Sequence, residues 1–145
     1  MNSDELNDII DRVAKRLIDT KNRKSEGRDE PPVYFVDSDN VLEELICKWP
    51  TTIVLFTSPM CPACHMYRPI FYEYAASAKK KYGARIGFLE VDVSRAYRLA
   101  VELGVMSTPT TVVFYNCKPV DGFVGVLYED MLEELVSRYA STTRQ

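Results

Sequence analysis

A junction in the middle of the chain sets the tightest limit on its fold. The run Thr51-Thr52-Ile53-Val54-Leu55-Phe56-Thr57 is apolar and β-branched with no alternation, and Cys61-Pro62-Ala63-Cys64 follows four residues on. A strand of that composition is buried on both faces, so helices must cover both sides of its sheet. Pro62 suits the first turn of a helix, where its missing N–H costs nothing. The helical segment runs to about Tyr82, where Gly83 ends it, and Pro69 inside it removes one backbone donor. The two cysteines therefore stand where a buried strand passes into a helix.

The rest of the chain builds around this junction. Leu6, Ile10, Val13 and Leu17 share one face of a helix predicted over residues 3–19, with Ile9 and Ile18 widening the stripe and Ser3 as N-cap. Residues 20–32 turn polar and close on Pro31-Pro32, which reads as a linker. Val33–Val36 is a short strand, and Asp37 or Ser38 caps a helix to about Lys48, stopped by Trp49-Pro50. Ala84–Val91 reads as a strand, and Ser94 as the cap of a helix ending at Leu103 before Gly104. Thr110–Tyr115 and Val120–Val126 form a hairpin across Asn116-Cys117-Lys118-Pro119, and residues 129–140 form a closing amphipathic helix. The order is a helix, then β-α-β-α-β-α-β-β-α. Alternation demands parallel crossovers and the hairpin adds an antiparallel pair. The predicted fold is α/β in three layers: a mixed central sheet with helices on both faces, plus an extra N-terminal helix. Residues 1–32 hold the helix and linker, and 33–145 the main domain.

Composition narrows the function classes. The 145 residues are 46% hydrophobic and 27% charged with a net charge of −3, as suits a globular chain. No basic stripe interleaved with aromatics points to nucleic acid. Lys21-Asn22-Arg23-Lys24 and Lys79-Lys80-Lys81 read as solvated charge. No apolar stretch reaches the roughly 20 residues that span a bilayer. Met1-Asn2-Ser3-Asp4-Glu5-Leu6 lacks the basic and apolar regions of a secretory signal, so a cytoplasmic location is expected.

The chemistry follows from where the cysteines sit. At a helix N-terminus, unpaired N–H groups and the positive end of the dipole favour the thiolate, which is the attacking species. Three residues further, one turn away, a second thiol is close enough to form a disulfide. Cys61 would attack a substrate disulfide, and the more buried Cys64 would then resolve the mixed disulfide. The competing reading is zinc, which wants four ligands. Only Cys61, Cys64 and His65 are local, Cys47 and Cys117 are distant, and there is no second CxxC. Metal is disfavoured within one chain, leaving only a cluster bridged between two chains, which nothing requires. A purely structural disulfide is equally disfavoured. His65, the single histidine, is read as an exposed helix residue in preference to a Cys-His catalytic pair.

An ordered set of features resembles the thioredoxin family. It comprises the strand, the CxxC at a helix start, Pro69 five residues after the second cysteine, Val91-Asp92-Val93, Thr108-Pro109-Thr110, and the glycine of Val124-Gly125. The resemblance covers about residues 33–141. Taken alone, Pro109 would be an ordinary strand-opening trans-proline. The resemblance implies instead a cis-proline at Pro109 beside the active cysteines. It also implies that the Thr108 backbone pairs with an extended substrate segment and that Gly125 keeps the groove open. Met60 and Pro62 would flank the substrate. The implied activity is a protein disulfide oxidoreductase with no bound cofactor and no metal, fed by a separate disulfide reductase and acting as a monomer or weak dimer.

Several residues depart from that family. Met60-Cys61-Pro62-Ala63-Cys64 stands where Trp-Cys-Gly-Pro-Cys is usual, and Thr108 where isoleucine is common. The family's buried aspartate falls at Leu55 and its lysine at Phe88, a paired loss that leaves neither charge stranded. Glu90, His65 or water could replace the missing base, with Glu90 and His65 both expected at the surface. Cys47 and Cys117 are expected at the end of the sheet away from the CxxC, as free thiols by default, with a disulfide as the alternative. The N-terminal helix is read as packing on its own domain rather than serving as a dimerisation or docking stripe. The main reading is a reductase of protein disulfides. Its alternatives are a redox-sensitive partner-binding module with little turnover and a disulfide oxidase or isomerase.

Overall fold

The computed structural model describes residues 3–25 and 30–140. The chain divides into two compact units, Met1–Pro31 and Pro32–Gln145. The first unit contains the helix α1 (Ser3–Ser25), which runs six residues past the predicted end. Of the polar segment 20–32, residues 26–29 lie outside the described residues.

In the second unit the elements are β1 (Tyr34–Val36), α2 (Asp39–Ile46), β2 (Thr51–Thr57), α3 (Pro62–Tyr82), β3 (Ile86–Asp92), α4 (Arg98–Leu103), β4 (Thr110–Tyr115), β5 (Lys118–Val124) and α5 (Glu129–Ala140). They form one sheet in the order β1-β3-β2-β4-β5, with β1, β3 and β2 parallel and β4 and β5 antiparallel. β2 is buried at all seven positions. Ile53 and Leu55 pack with Phe88 against Tyr67 and Phe71 of α3 and Leu132 and Val136 of α5. Val54 and Phe56 turn to the other face, against Leu42 and Ile46 of α2 and Ala100 of α4. Both parities of the strand meet a helical layer, which is why its sequence does not alternate. Gly87 of β3 lets the sheet lie directly on Trp49, since a Cβ there would enter the indole ring.

Some boundaries move for identifiable reasons. Ser94 does not cap α4; its N–H and hydroxyl both donate to Asp92 Oδ1, at 2.9 and 2.6 Å, closing a turn that delays the helix to Arg98. The hairpin is tighter than predicted. Asn116 and Cys117 adopt positive φ of 52° and 71°, so Lys118 already pairs with Tyr115 and β5 begins two residues early. A 3₁₀ turn, Gly83–Arg85, occupies the predicted start of β3.

The free-thiol expectation for Cys47 and Cys117 is corrected, because they form a disulfide. Register is the reason. Thr51 of β2 lies opposite Tyr115 of β4, and the Asn116 N–H donates to the Pro50 carbonyl at 2.8 Å. The end of α2 and the hairpin turn therefore meet at the far end of the sheet, with the two Cα atoms 4.8 Å apart. Both cysteines are exposed.

A second tie joins α3 to α5. Tyr74, Tyr82 and Lys81 donate to the Glu133 carboxylate at 2.7, 2.8 and 2.6 Å. Burial works to raise the Glu133 pKa, but these three donors overcome it and hold it below the ordinary value of 4.5. A carboxylate depressed in the folded state contributes stability above its unfolded pKa and loses it as pH falls through the folded value. Thermal scans should therefore show stability falling as the pH drops below 4.5, and Glu133→Gln should flatten that slope. The Cys47–Cys117 disulfide spans 70 residues, for which loop entropy suggests about 4 kcal/mol. Cys47→Ser/Cys117→Ser should thus lower unfolding stability by about 2–4 kcal/mol in denaturant titrations without reductant.

Candidate active site

Cys61 is the N-cap of α3, in an extended conformation with φ −139° and ψ 97°. Its Sγ accepts from the Cys64 backbone N–H at 3.1 Å, the bond a capping oxygen ordinarily takes. Pro62 enters the first turn and the His65 N–H closes on the Cys61 carbonyl at 3.2 Å. Cys61 and Cys64 are disulfide-bonded with Cα atoms 5.2 Å apart. Both are buried, Cys64 completely. On reduction, the N–H aimed at Cys61 Sγ and the helix dipole would both favour a thiolate there.

The loop before β4 reaches the same place. The Thr108–Pro109 peptide bond is cis, and Cys61 Sγ lies 3.5 Å from the Thr108 carbonyl oxygen. Ser58 and Thr108 hydroxyls are hydrogen-bonded at 2.8 Å, pinning that loop to the end of β2. The Gly125 N–H donates to the Pro109 carbonyl at 2.8 Å. Gly125 holds φ of 104°, and a Cβ there would point into open space. Pro109 and Gly125 are thus joined directly and stand next to the Thr108 carbonyl that faces Cys61. Met60, beside Cys61, is 93% exposed, and Met106, two residues before Thr108, is 94% exposed. One flexible thioether side chain is thus adjacent to Cys61 in the chain, and a second lies two residues before Thr108.

Beneath the site Leu55 and Phe88 are buried apolar residues, as the sequence indicates. The surface placement of Glu90 is corrected: it is 1% exposed. It sits opposite Leu55 in the β2–β3 register. Its Oε2 accepts from the Thr57 hydroxyl at 2.7 Å and from Arg68 Nε at 2.6 Å, and its Oε1 from the Tyr72 hydroxyl at 2.6 Å. Arg68 also donates through Nη1 to His65 Nδ1 at 3.0 Å. His65 is exposed and turned toward Arg68. Burial pushes the Tyr67 phenol up to about 12, partly offset by its 2.9 Å hydrogen bond with Thr111.

The Arg68–Glu90 pair was missed by sequence reasoning, although two signals pointed to it. Glu90 shares the parity of Ile86 and Phe88, which face the layer under α3, while Leu89 and Val91 fill the opposite layer, so neither parity of β3 reaches solvent. Cys64, Arg68 and Tyr72 repeat every four residues along one face of α3. Among the described residues, no group of three or more His, Cys, Asp or Glu side chains could hold a metal ion, and no helix is long and apolar enough to cross a membrane.

Comparison with known proteins agrees with this geometry. The thioredoxin family model matches residues 33–138. The chain is 35% identical over 91 residues to thioredoxin H4 of Arabidopsis thaliana, covering 63% of this chain and 73% of that protein. It is 32% identical over 87 residues to a thioredoxin of Staphylococcus aureus, covering 60% of this chain and 80% of the relative. Among solved structures, oxidised thioredoxin from Plasmodium falciparum superposes with a TM-score of 0.62 at 29% identity, covering 74% of this chain and 98% of that one. A mutant thioredoxin from Halobacterium salinarum gives 0.66 at 24% identity over 77% of this chain and 94% of that chain, a likeness of fold. With the family model spanning most of the chain over the same elements that carry the disulfide and the cis-proline, this protein belongs to the thioredoxin family of thiol–disulfide oxidoreductases.

Proposed function

We propose that this protein reduces disulfides in protein substrates through the Cys61/Cys64 dithiol. One observation carries the reading: the Cys61–Cys64 disulfide caps α3 with the Cys61 sulfur facing the Thr108 carbonyl. In the reduced state the Cys61 thiolate attacks one sulfur of the substrate disulfide, forming a mixed disulfide and releasing the other sulfur as a thiolate, which takes up a proton. Cys64 then loses its proton and attacks Cys61 Sγ, which expels the second substrate thiolate. Two electrons pass to the substrate, and the protein is left with the Cys61–Cys64 disulfide. His65 is turned to Arg68, and Glu90 is engaged by Thr57, Arg68 and Tyr72, so water takes the Cys64 proton.

The substrate docks as an extended segment against the Thr108 backbone, with Gly125 leaving the groove open and Pro109 holding its floor. Met60 and Met106 adapt to apolar residues flanking the substrate cysteines. No bound cofactor is needed, and a separate disulfide reductase returns the electrons. The setting that fits this cycle is the cytoplasm. A second reading, oxidase or isomerase, is favoured by the exposed Cys47–Cys117 disulfide, since such bonds persist mainly in oxidising compartments.

Insulin-disulfide reduction driven by dithiothreitol tests the mechanism. Cys61→Ser should abolish turnover, and Cys64→Ser should accumulate mixed disulfides with substrate; activity surviving Cys61→Ser would sink the reading. A reduction potential near about −270 mV marks a reductase, and one near about −120 to −180 mV an oxidase or isomerase. Absence of turnover in either direction, with tight partner binding, would leave a redox-sensitive binding module. Arg68→Met strips the guanidinium from buried Glu90. It should cost about 3 kcal/mol in denaturant titrations.

A further inference from the structure

The Cys47–Cys117 disulfide takes no part in the chemistry above and lies at the opposite end of β2 from Cys61. Cys47 is the C-cap of α2, and Cys117 is the second residue of the two-residue turn between β4 and β5. Both are exposed, whereas Cys61 is only 7% exposed and Cys64 is fully buried. Exposure brings a disulfide within reach of dissolved thiols and makes it labile. Among reduced thiols, disulfides that do form are mostly transient, catalytic or redox-sensing.

The two sulfurs are not equivalent. Exchange is faster when the departing sulfur is the better-stabilised thiolate. Cys47 sits at the carbonyl end of α2 with Glu44 one turn before it, and both disfavour negative charge there. Lys48, the next residue, holds its ammonium over the Tyr34 and Trp49 rings at 5.5 and 5.1 Å. Cys117 follows no helix and is adjacent to Lys118. Cys117 is thus the better leaving group, and Cys47 the sulfur to attack. Cys117 also holds φ of 71°, left-handed backbone that few residues other than Gly, Asn and Asp adopt. Its departure frees the turn to relax.

We propose that Cys47–Cys117 is a second redox-active disulfide, opened in the folded protein by small dissolved monothiols. The incoming thiolate attacks Cys47 Sγ, the bond to Cys117 breaks, and Cys117 leaves as a thiolate that takes up a proton. A second monothiol, as its thiolate, attacks the small-molecule sulfur of the mixed disulfide and expels Cys47, which is protonated in turn. Two monothiols are thereby joined as a disulfide, and their two electrons reduce the cysteine pair. The link between the end of α2 and the hairpin turn follows the surrounding thiol–disulfide balance, independently of Cys61 and Cys64.

Reduction of the oxidised full chain by glutathione tests this. Acid quenching, alkylation and peptide mapping read Cys47 and Cys117 apart from the active-site pair. Cys61→Ser/Cys64→Ser, run in parallel, removes any reduction by the active-site dithiol of another copy. Opening in the folded state should change in rate by less than about twofold on adding about 1 M urea, below the unfolding transition, whereas a route through global unfolding would quicken about tenfold. Mixtures of reduced and oxidised glutathione should open and reclose the bond reversibly while near-UV circular dichroism stays native. In the reduced chain, iodoacetamide should alkylate Cys117 at least about threefold faster than Cys47. A bond that stays closed until urea unfolds the chain overturns the proposal, as does the tenfold acceleration. Equal or faster alkylation of Cys47 overturns the order of attack.

Discussion

Strand β2 is buried on both faces, and it ends where α3 begins. Its odd-numbered residues fill the layer under α3 and α5, and its even-numbered residues the layer under α2 and α4. A strand with no solvent side cannot drift in register without exposing one of its two apolar sets. The position of Thr57 is therefore fixed by the whole core, and Ser58 through Cys61 inherit that precision. The same sheet carries β4 antiparallel beside β2, so the loop before Thr110 is delivered to the CxxC end. Cys61 and the Thr108 carbonyl, 47 residues apart, meet because both are continuations of neighbouring strands.

Under the disulfide, the polar group lies on a different strand from the one the family pattern suggests. Leu55 and Phe88 replace a charged pair with apolar packing, while Glu90, across the ladder from Leu55, brings a carboxylate into the same layer. Its cost is met locally by Thr57, Arg68 and Tyr72, so that no acceptor on the carboxylate is stranded. Arg68 reaches it from α3 while leaving part of its own side chain in water. The arrangement fastens the first turns of α3 to β2 and β3 by polar contacts, in addition to the aromatic packing of Tyr67 and Phe71.

Much of this was legible in the sequence because it rests on periodicity and on local chemistry. The unbroken apolar run of β2, the proline after Cys61 and the glycine after Tyr82 each have a direct local cause. What stayed hidden required knowing which segments meet. Cys47 and Cys117 could be placed at one end of the sheet but not brought within bonding distance, since only the β2–β4 register joins the end of α2 to the hairpin turn. Glu90 reads as a surface residue until Arg68 is seen opposite it, because a charge is buried only where a partner waits. Ser94 carries the chemistry of a helix cap, and the competing acceptor on Asp92 decides the matter two residues earlier.

The Cys47–Cys117 bond also has a mechanical consequence. It closes a covalent loop that contains Cys61, Cys64, Thr108 and Pro109. Tension applied along the chain from outside this loop passes through the disulfide and bypasses the segment between the two cysteines. With a span of 70 residues, the bond withholds roughly 240 Å of contour from extension. The strand-to-helix junction is therefore shielded from load for as long as that bond is intact, while Gly125, beyond it, is not.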